Sequence, residues 1–173
     1  MTRRNPYYQG PVIDHFDGFR FFNPGEPGTD RNLQKVLRWQ RSAMPNNWPK
    51  CVSIAPVIPD PRTDDLCVTM VGHVTLLIQI AGINILTDPV WSDRASPVSF
   101  AGPKRVTAPG IALHDLPPID VILLSHNHYD HLDIATLRVL HKDHAPLIVT
   151  PLAMTASCAV ASAMRGWPYT ALR

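Results

Sequence analysis

The chain has 173 residues, 45% of them hydrophobic, and a formal net charge of +2. This length suits one domain with a sizeable core, and so small a charge argues against a dedicated nucleic-acid binder. Three cysteines without a C-x-x-C pair argue against a disulfide framework and favour a reducing compartment, so we expect a cytoplasmic protein.

The first part of the chain is predicted to be an ordered arm over residues 1–28, followed by one domain over residues 29–173. The arm is rich in proline, glycine and aromatic side chains, and free linkers seldom carry so many large apolar groups. These aromatics either pack against the domain or form a lip that contacts lipid. The arm lacks the apolar core of a signal peptide, and no run in the chain approaches the ~20 apolar residues of a membrane span.

The domain is predicted to begin with a short amphipathic helix over residues 30–41, capped by Thr29 or Asp30. A proline-rich connector follows over residues 41–65. Trp48 lies in this connector, and we expect it to pack in a core.

Three strands are predicted next, and Ala81 and Gly82 form the hairpin turn between the last two; the strands cover residues 66–71, 74–80 and 83–87. His73 precedes the second strand and is interpreted as a structural histidine, with a place near a site as the alternative. Asp88 follows the third strand. It either orients a metal-bound histidine or only forms a turn.

A long loop is predicted over residues 91–118, and long loops are often functional. It carries two adjacent cations, Lys104 and Arg105. These side chains either meet a phosphate group or are solvated surface charges.

The most informative segment comes after this loop, where the apolar run at residues 119–124 predicts a buried strand. The strand is followed directly by an H-x-H-x-D-H motif, formed by His126, His128, Asp130 and His131. A helix is predicted over residues 133–140, with Asp133 as its cap. The motif therefore lies at the carboxyl end of a strand, which is where open α/β sheets bind ligands.

Residues two apart in an extended loop point the same way, so His126 and His128 can hold one metal ion. Asp130 and His131 turn over the start of the helix and can reach a second ion, roughly 3.5–4 Å away in two-metal hydrolases. Histidine and aspartate suit zinc and related divalent metals, which can generate a hydroxide nucleophile at neutral pH. The alternative is a histidine-rich polar loop that binds no metal.

The motif resembles the signature of the metallo-β-lactamase superfamily. More of the chain resembles the branch that contains N-acyl-phosphatidylethanolamine-hydrolysing phospholipase D and its bacterial relatives. The matching segments are residues 71–75, 86–91, 94–97, 102–105, 116–120 and 125–133. Their order is specific for the branch but not for one substrate.

The resemblance implies an α/β (α+β) fold, the N-terminal half of an αββα sandwich, with two zinc ions at one edge. It implies that His126 and His128 hold the first zinc, and that Asp130 and His131 hold the second. Asp130 is then also the candidate catalytic residue, and Tyr129 matches a position that contacts substrate. In this family a zinc-bridging hydroxide attacks phosphorus.

The family completes its metal site with three later ligands, for which His141 and His144 are poor substitutes. The last residues, 153–173, do not resemble the family, so a truncation is expected, with a shifted reading frame after about Leu152 as the hypothesis. Half a sandwich would leave an apolar sheet face exposed. We therefore expect poor solubility, oligomerisation or pairing with a complementing chain.

The predicted function is zinc-dependent hydrolysis of a phosphodiester, with a phospholipid of the N-acyl-phosphatidylethanolamine type, or another small ester, as substrate. Such a substrate would entail peripheral membrane contact. Two alternatives remain open: a metal-dependent lactonase of the same fold, and a catalytically inactive fragment.

Overall fold

The computed structural model describes residues 4–25, 32–42, 49–151, 154 and 164–172. The chain divides into two compact units, residues 1–48 and 49–173. The arm at residues 1–28 and its position over a domain stay predictions. Trp48 and the proposed helix caps Thr29 and Asp30 lie outside the described residues.

In the first unit, an aromatic cluster formed by Tyr8, Phe16 and Phe21 packs with ring centroids 4.6–5.1 Å apart. Only Phe16 of the three is fully enclosed, at 1% exposure. Helix α1 spans Leu33–Ser42, so it begins later than predicted. The side chain of Asn32 accepts a hydrogen bond from the backbone N–H of Lys35 at 2.9 Å, which gives the helix its amino-terminal cap.

The second unit is built on one six-stranded sheet in which the strands lie in chain order. The strands are β1 Cys67–Gly72, β2 Thr75–Ile80, β3 Ile83–Thr87, β4 Val121–Leu123, β5 Leu147–Pro151 and β6 Tyr169–Leu172. The first three pair antiparallel, and β3 to β6 pair parallel. Between β2 and β3, Ala81 and Gly82 both have positive φ, as a two-residue hairpin turn requires, which confirms the predicted turn.

One face of the sheet forms the core with helix α2, which spans Ile134–His144. The strand residues at its centre are fully buried and come from alternate positions: Leu77, Leu86, Ile122 and Ile148. Leu137 and Leu140 of α2 belong to the same cluster. This mixed α/β sheet with a helix on one face agrees with the predicted fold class.

The opposite face of the sheet is apolar and open to solvent. Its positions alternate with the core positions in every strand, and several are between 37% and 63% exposed: Val68, Met70, Ile80, Ile83, Leu123 and Leu147. No strand of the described sheet places a charged side chain on this face. An apolar face of this kind favours self-association. Oligomerisation and pairing with a complementing chain stay predictions.

Strand β6 was not expected from the sequence, because residues 165–173 show no strand pattern of their own. It pairs parallel with β5, from Ile148 opposite Tyr169 to Pro151 opposite Leu172. Most of the preceding small-residue segment, residues 155–163, lies outside the described residues.

A buried polar network fastens the proline-rich connector to the end of the sheet away from the H-x-H-x-D-H motif. Asn84, with no exposed surface, donates to the carbonyls of Pro61 at 2.9 Å and Pro118 at 2.7 Å. Gln79 donates to Asn84 Oδ1 at 2.9 Å. The Arg62 guanidinium pairs with Asp120, and this contact holds the pKa of that carboxyl below its usual value.

Asp133 caps α2, as predicted, and also ties the helix to the loop after β3. Oδ1 accepts from the N–H groups of Ala135 and Thr136, and Oδ2 accepts from the Thr136 hydroxyl at 2.6 Å and from Ser92 N–H at 2.8 Å. Burial by itself would raise the pKa of Asp133, but these donors outweigh it and lower the pKa.

We therefore expect Asp133→Ala to lower the free energy of unfolding at neutral pH by about 1–2 kcal/mol, the usual cost of a lost cap. Because the folded pKa is depressed, the stabilisation is complete above the unfolded pKa and is lost as pH falls through the folded value. Urea unfolding of both proteins from pH 7 down to the acid range should show the two curves converging. A gap that stays constant with pH would contradict this account.

No helix in the described ranges combines the length and the apolar character needed to cross a membrane.

Candidate metal centre

The candidate site is built where two neighbouring parallel strands end. Asp88 directly follows β3, and Ser125 lies two residues after the last residue of β4. The Asp88 N–H donates to the Leu123 carbonyl at 2.8 Å, and Asp88 takes a φ of 34° there. This turn brings its carboxylate back over the end of β4, so Asp88 both forms a turn and faces the motif.

The Asp88 carboxylate, only 8% exposed, accepts three hydrogen bonds. Ser125 donates its N–H to Oδ1 at 2.7 Å and its hydroxyl to Oδ2 at 2.6 Å. The third donor is His131 Nδ1, 2.9 Å from Oδ2. A buried charge needs such donors to offset the cost of desolvation.

These bonds determine which ring nitrogens carry protons. Because the Ser125 hydroxyl donates to Asp88, its oxygen is left to accept, and His126 Nδ1 lies 2.9 Å from it. In the neutral form of each ring, these contacts favour the proton on Nδ1 of His126 and of His131 and leave the lone pair on Nε2. Neutral histidine with a free Nε2 and a hydrogen-bonded Nδ1 is the usual state of a metal ligand.

Three side chains offer ligand atoms that all lie within 4.8 Å of one another: His73, Asp130 and His131. Asp130 Oδ2 is 3.2 Å from His73 Nε2 and 3.7 Å from His131 Nε2. His73 is in the turn between β1 and β2 with a φ of 52°, and its side chain is 57% exposed. This imidazole–carboxylate set has the donor chemistry that zinc prefers.

The other two motif histidines lie beside this group without joining it. The His126 ring is 3.9 Å from the His131 ring and 4.6 Å from the His128 ring, centroid to centroid. His141 stacks on Trp167, so it takes no part in the cluster. His144 likewise lies elsewhere, with Nδ1 3.4 Å from the Ile119 N–H. That these two histidines are not ligands stays a prediction.

The charge at the centre is concentrated on Asp130. Burial would raise the pKa of this carboxyl, but its own backbone N–H, the His73 hydrogen bond and the charges of His131 and His73 together lower it. Asp130 is therefore a carboxylate at neutral pH and can bind a cation.

A cavity of about 810 Å³ opens beside the centre. Its lining includes His73, His128, Tyr129 and Asp130, together with several residues between positions 90 and 107. Tyr129 is 52% exposed, which leaves its ring free to contact a ligand. Its predicted substrate contact stays a prediction.

Two residues of the site were missed or misread in the sequence. Ser125 was not singled out, although it directly precedes the motif and links Asp88 to His126. Arg105 is not a solvated surface charge: its guanidinium donates to the carbonyls of Ser92 and Val90, both at 3.0 Å. Burial lowers the pKa of Arg105, while nearby Asp93 and Asp133 act in the other direction.

The sequence around this site is similar to known proteins. Residues 83–165 match the family model for the beta-lactamase superfamily domain. An uncharacterized protein of Mycobacterium tuberculosis is 34% identical over 153 residues, 86% of this chain and 40% of the relative. The N-acyl-phosphatidylethanolamine-hydrolyzing phospholipase D 1 of Caenorhabditis elegans is 38% identical over 135 residues, 74% of this chain and 37% of the relative. The chain thus spans about two fifths of the length of these curated relatives.

Among solved structures, an isothiocyanate hydrolase from Delia radicum gut bacteria is similar at 26% identity and a TM-score of 0.46. The similarity covers 61% of this chain and 41% of that one. The family match at residues 83–165 contains β3, the H-x-H-x-D-H motif and the helix that follows it. The matched segment, residues 83–165, is therefore similar to the beta-lactamase superfamily domain, in agreement with the mixed sheet described above.

Proposed function

We propose that this chain contributes a metal centre to a hydrolase that cuts phosphodiesters, with N-acyl-phosphatidylethanolamine-type phospholipids as its substrate class. The observation that carries the proposal is the state of His131. Its Nδ1 is held by a buried carboxylate, and its Nε2 lies 3.7 Å from Asp130 Oδ2. The similarity to the Caenorhabditis elegans phospholipase supports the choice of substrate class.

Two zinc ions are the proposed cofactors. His126 and His128 would hold one, and Asp130 and His131 the other, with His73 beside Asp130. Bound zinc supplies a hydroxide nucleophile at neutral pH. Asp130 is the proposed catalytic residue because its low pKa keeps a negative charge at the centre. Tyr129, which lines the cavity, is the proposed substrate contact.

A cytoplasmic enzyme acting on phospholipids would contact a membrane at its periphery. The apolar sheet face favours an oligomer or a complementing chain, and such a partner would also cover that face. The peripheral membrane contact and the oligomer or complementing chain are parts of this proposal.

The first test is the zinc content of the purified chain, measured together with its native mass. We expect about two zinc ions per chain in a compact species, and zinc near zero in a folded protein would defeat the proposal. The second test compares N-acyl-phosphatidylethanolamine with a panel of lactones, for this chain alone and co-expressed with the unmatched part of the Mycobacterium tuberculosis relative. Release of phosphatidate without lactone opening is expected. Lactone opening without any phosphodiester cleavage would favour the lactonase alternative.

A second candidate is metal binding without catalysis. It is favoured by the small number of donors in the described centre, where three ligand atoms lie within 4.8 Å of one another. Stoichiometric zinc without hydrolysis of any ester, with or without the added part, would identify this case.

A further inference from the structure

Among the described residues, one cation that lines the cavity beside the metal centre has a side chain with no partner. Lys104 lines the cavity together with Arg105, which is already committed to the carbonyls of Val90 and Ser92. In the part of the chain that the structure describes, no hydrogen bond or ion pair engages the ammonium group of Lys104. A cation that faces a cavity without a counter-charge is available to a ligand.

The backbone that carries Lys104 is fixed. Arg94 and Lys104 form an antiparallel bridge, and the flanking hydrogen bonds run from Ala95 N–H to the Pro103 carbonyl at 3.1 Å and from Arg105 N–H to the Asp93 carbonyl at 2.9 Å. The position of Lys104 at the cavity is therefore set by the fold, and only its flexible side chain has to be ordered by a ligand.

The surroundings of Lys104 favour an anion that is attached to an apolar group. Several cavity neighbours from the same loop are apolar: Val90, Ala95, Pro103 and Val106. The second wall cation, Arg105, has Asp93 as its nearby counter-charge. The remaining charges of the lining are Lys104 and Asp130, and a metal ion on Asp130 would neutralise the latter. Charge-assisted hydrogen bonds to an ammonium group are stronger than neutral ones.

From these observations we infer that Lys104 forms an anion subsite that binds the phosphate group of the substrate in the cavity beside the metal centre. The inference rests on the proposed function for the identity of the substrate. The binding of the anion itself depends only on the cavity. Lys104 is thus a residue that selects phosphate-bearing esters over neutral ones.

The test uses the whole chain, with glycerol 3-phosphate as the probe and glycerol as its neutral match. The chain is first made metal-free with a chelator, which is then removed by dialysis, and it is afterwards loaded with zinc. Binding is followed by NMR titration. We expect saturable binding of the phosphate ester alone, weakened roughly tenfold or more by Lys104→Met. Lys104→Arg should keep affinity within about threefold because it preserves the charge. Lys142→Met removes an exposed lysine of α2 outside the cavity, and should have no effect.

Equal affinity of the Lys104→Met and unmodified chains, or no saturable binding to the unmodified chain, would overturn the inference. Failure of the proposed function would give a different set of results from failure of this inference. In that case zinc does not bind or no phosphodiester is cut, while the metal-free chain still distinguishes glycerol 3-phosphate from glycerol through Lys104.

Discussion

Asp88→Asn should lower the zinc affinity of the chain by about 10–100-fold, the usual effect of losing the group that orients a metal-bound histidine. The replacement keeps the size of the side chain. If the asparagine carbonyl accepts from the Ser125 N–H, its amide N–H₂ faces His131 Nδ1 and the Ser125 hydroxyl. Nδ1 of His131 must then accept, so the proton moves to Nε2 and blocks the lone pair that a metal needs.

Two measurements separate this effect from a general loss of structure. Zinc affinity is obtained by chelator competition, and the protonated nitrogen of each histidine is read from ¹⁵N chemical shifts in the metal-free chain. Asp88→Asn should move the proton of His131 from Nδ1 to Nε2. Ser125→Ala should change His126, whose Nδ1 loses its acceptor, and should affect zinc binding less.

Asp93→Asn is the matched control, since Asp93 is an exposed acid of the cavity beside the centre without a hydrogen bond to any motif histidine. It should leave both the tautomers and the zinc affinity as they are. Unchanged histidine tautomers in Asp88→Asn, or unchanged zinc affinity, would show that Asp88 is only a turn residue.

The parts of this site that the sequence predicted are those that depend on neighbours in the chain. The cap at Asp133 and the hairpin turn at Ala81 and Gly82 follow from local patterns. The strand predicted before the motif is present but covers only Val121–Leu123, and its burial was predicted incorrectly because Leu123 lies on the open face of the sheet. Asp88 could be proposed because a strand end after an apolar run places polar residues at one edge of a sheet. Which of its two roles it fulfils depends on the parallel pairing of β3 with β4, which local sequence does not specify.

The remaining features depend on contacts between distant segments. His73 reaches Asp130, 57 residues away, because the turn between β1 and β2 carries it there in a left-handed conformation. From the sequence, Arg105 could be a surface charge, but in the structure its guanidinium donates hydrogen bonds to the carbonyls of Val90 and Ser92. Strand β6 owes its form to pairing with β5 and not to its own composition.

Asn84, inside β3, is another residue whose surroundings depend on distant segments and could not be predicted from local sequence. Its replacement carries the largest expected loss of stability. A polar residue between Ile83 and Ile85 would ordinarily be assigned to a solvent-facing position. The structure buries it completely, where it donates to two carbonyls and accepts from Gln79. Asn84→Leu preserves the volume but leaves these partners unsatisfied, and each buried unpaired group costs about 1–3 kcal/mol.

We therefore expect Asn84→Leu to lower the free energy of unfolding by about 3 kcal/mol, a large share of the 5–15 kcal/mol typical of a domain. Urea unfolding should show a lower midpoint with an unchanged slope, since the surface exposed on unfolding is the same. Asn127→Leu is the control, because Asn127 is exposed and should change stability by less than about 0.5 kcal/mol.

Asn84 and Asp88 occupy one strand and the residue that follows it, and this makes the two replacements a test of how the site is built. Asn84→Leu acts at the end of β3 that holds the connector, whereas Asp88→Asn acts at the end that holds the histidines. If the sheet is a rigid platform, folded Asn84→Leu protein keeps the Nδ1 protonation of His126 and His131 and binds zinc as the unmodified chain does. A shifted tautomer in folded Asn84→Leu would mean that the connector network also positions the metal centre.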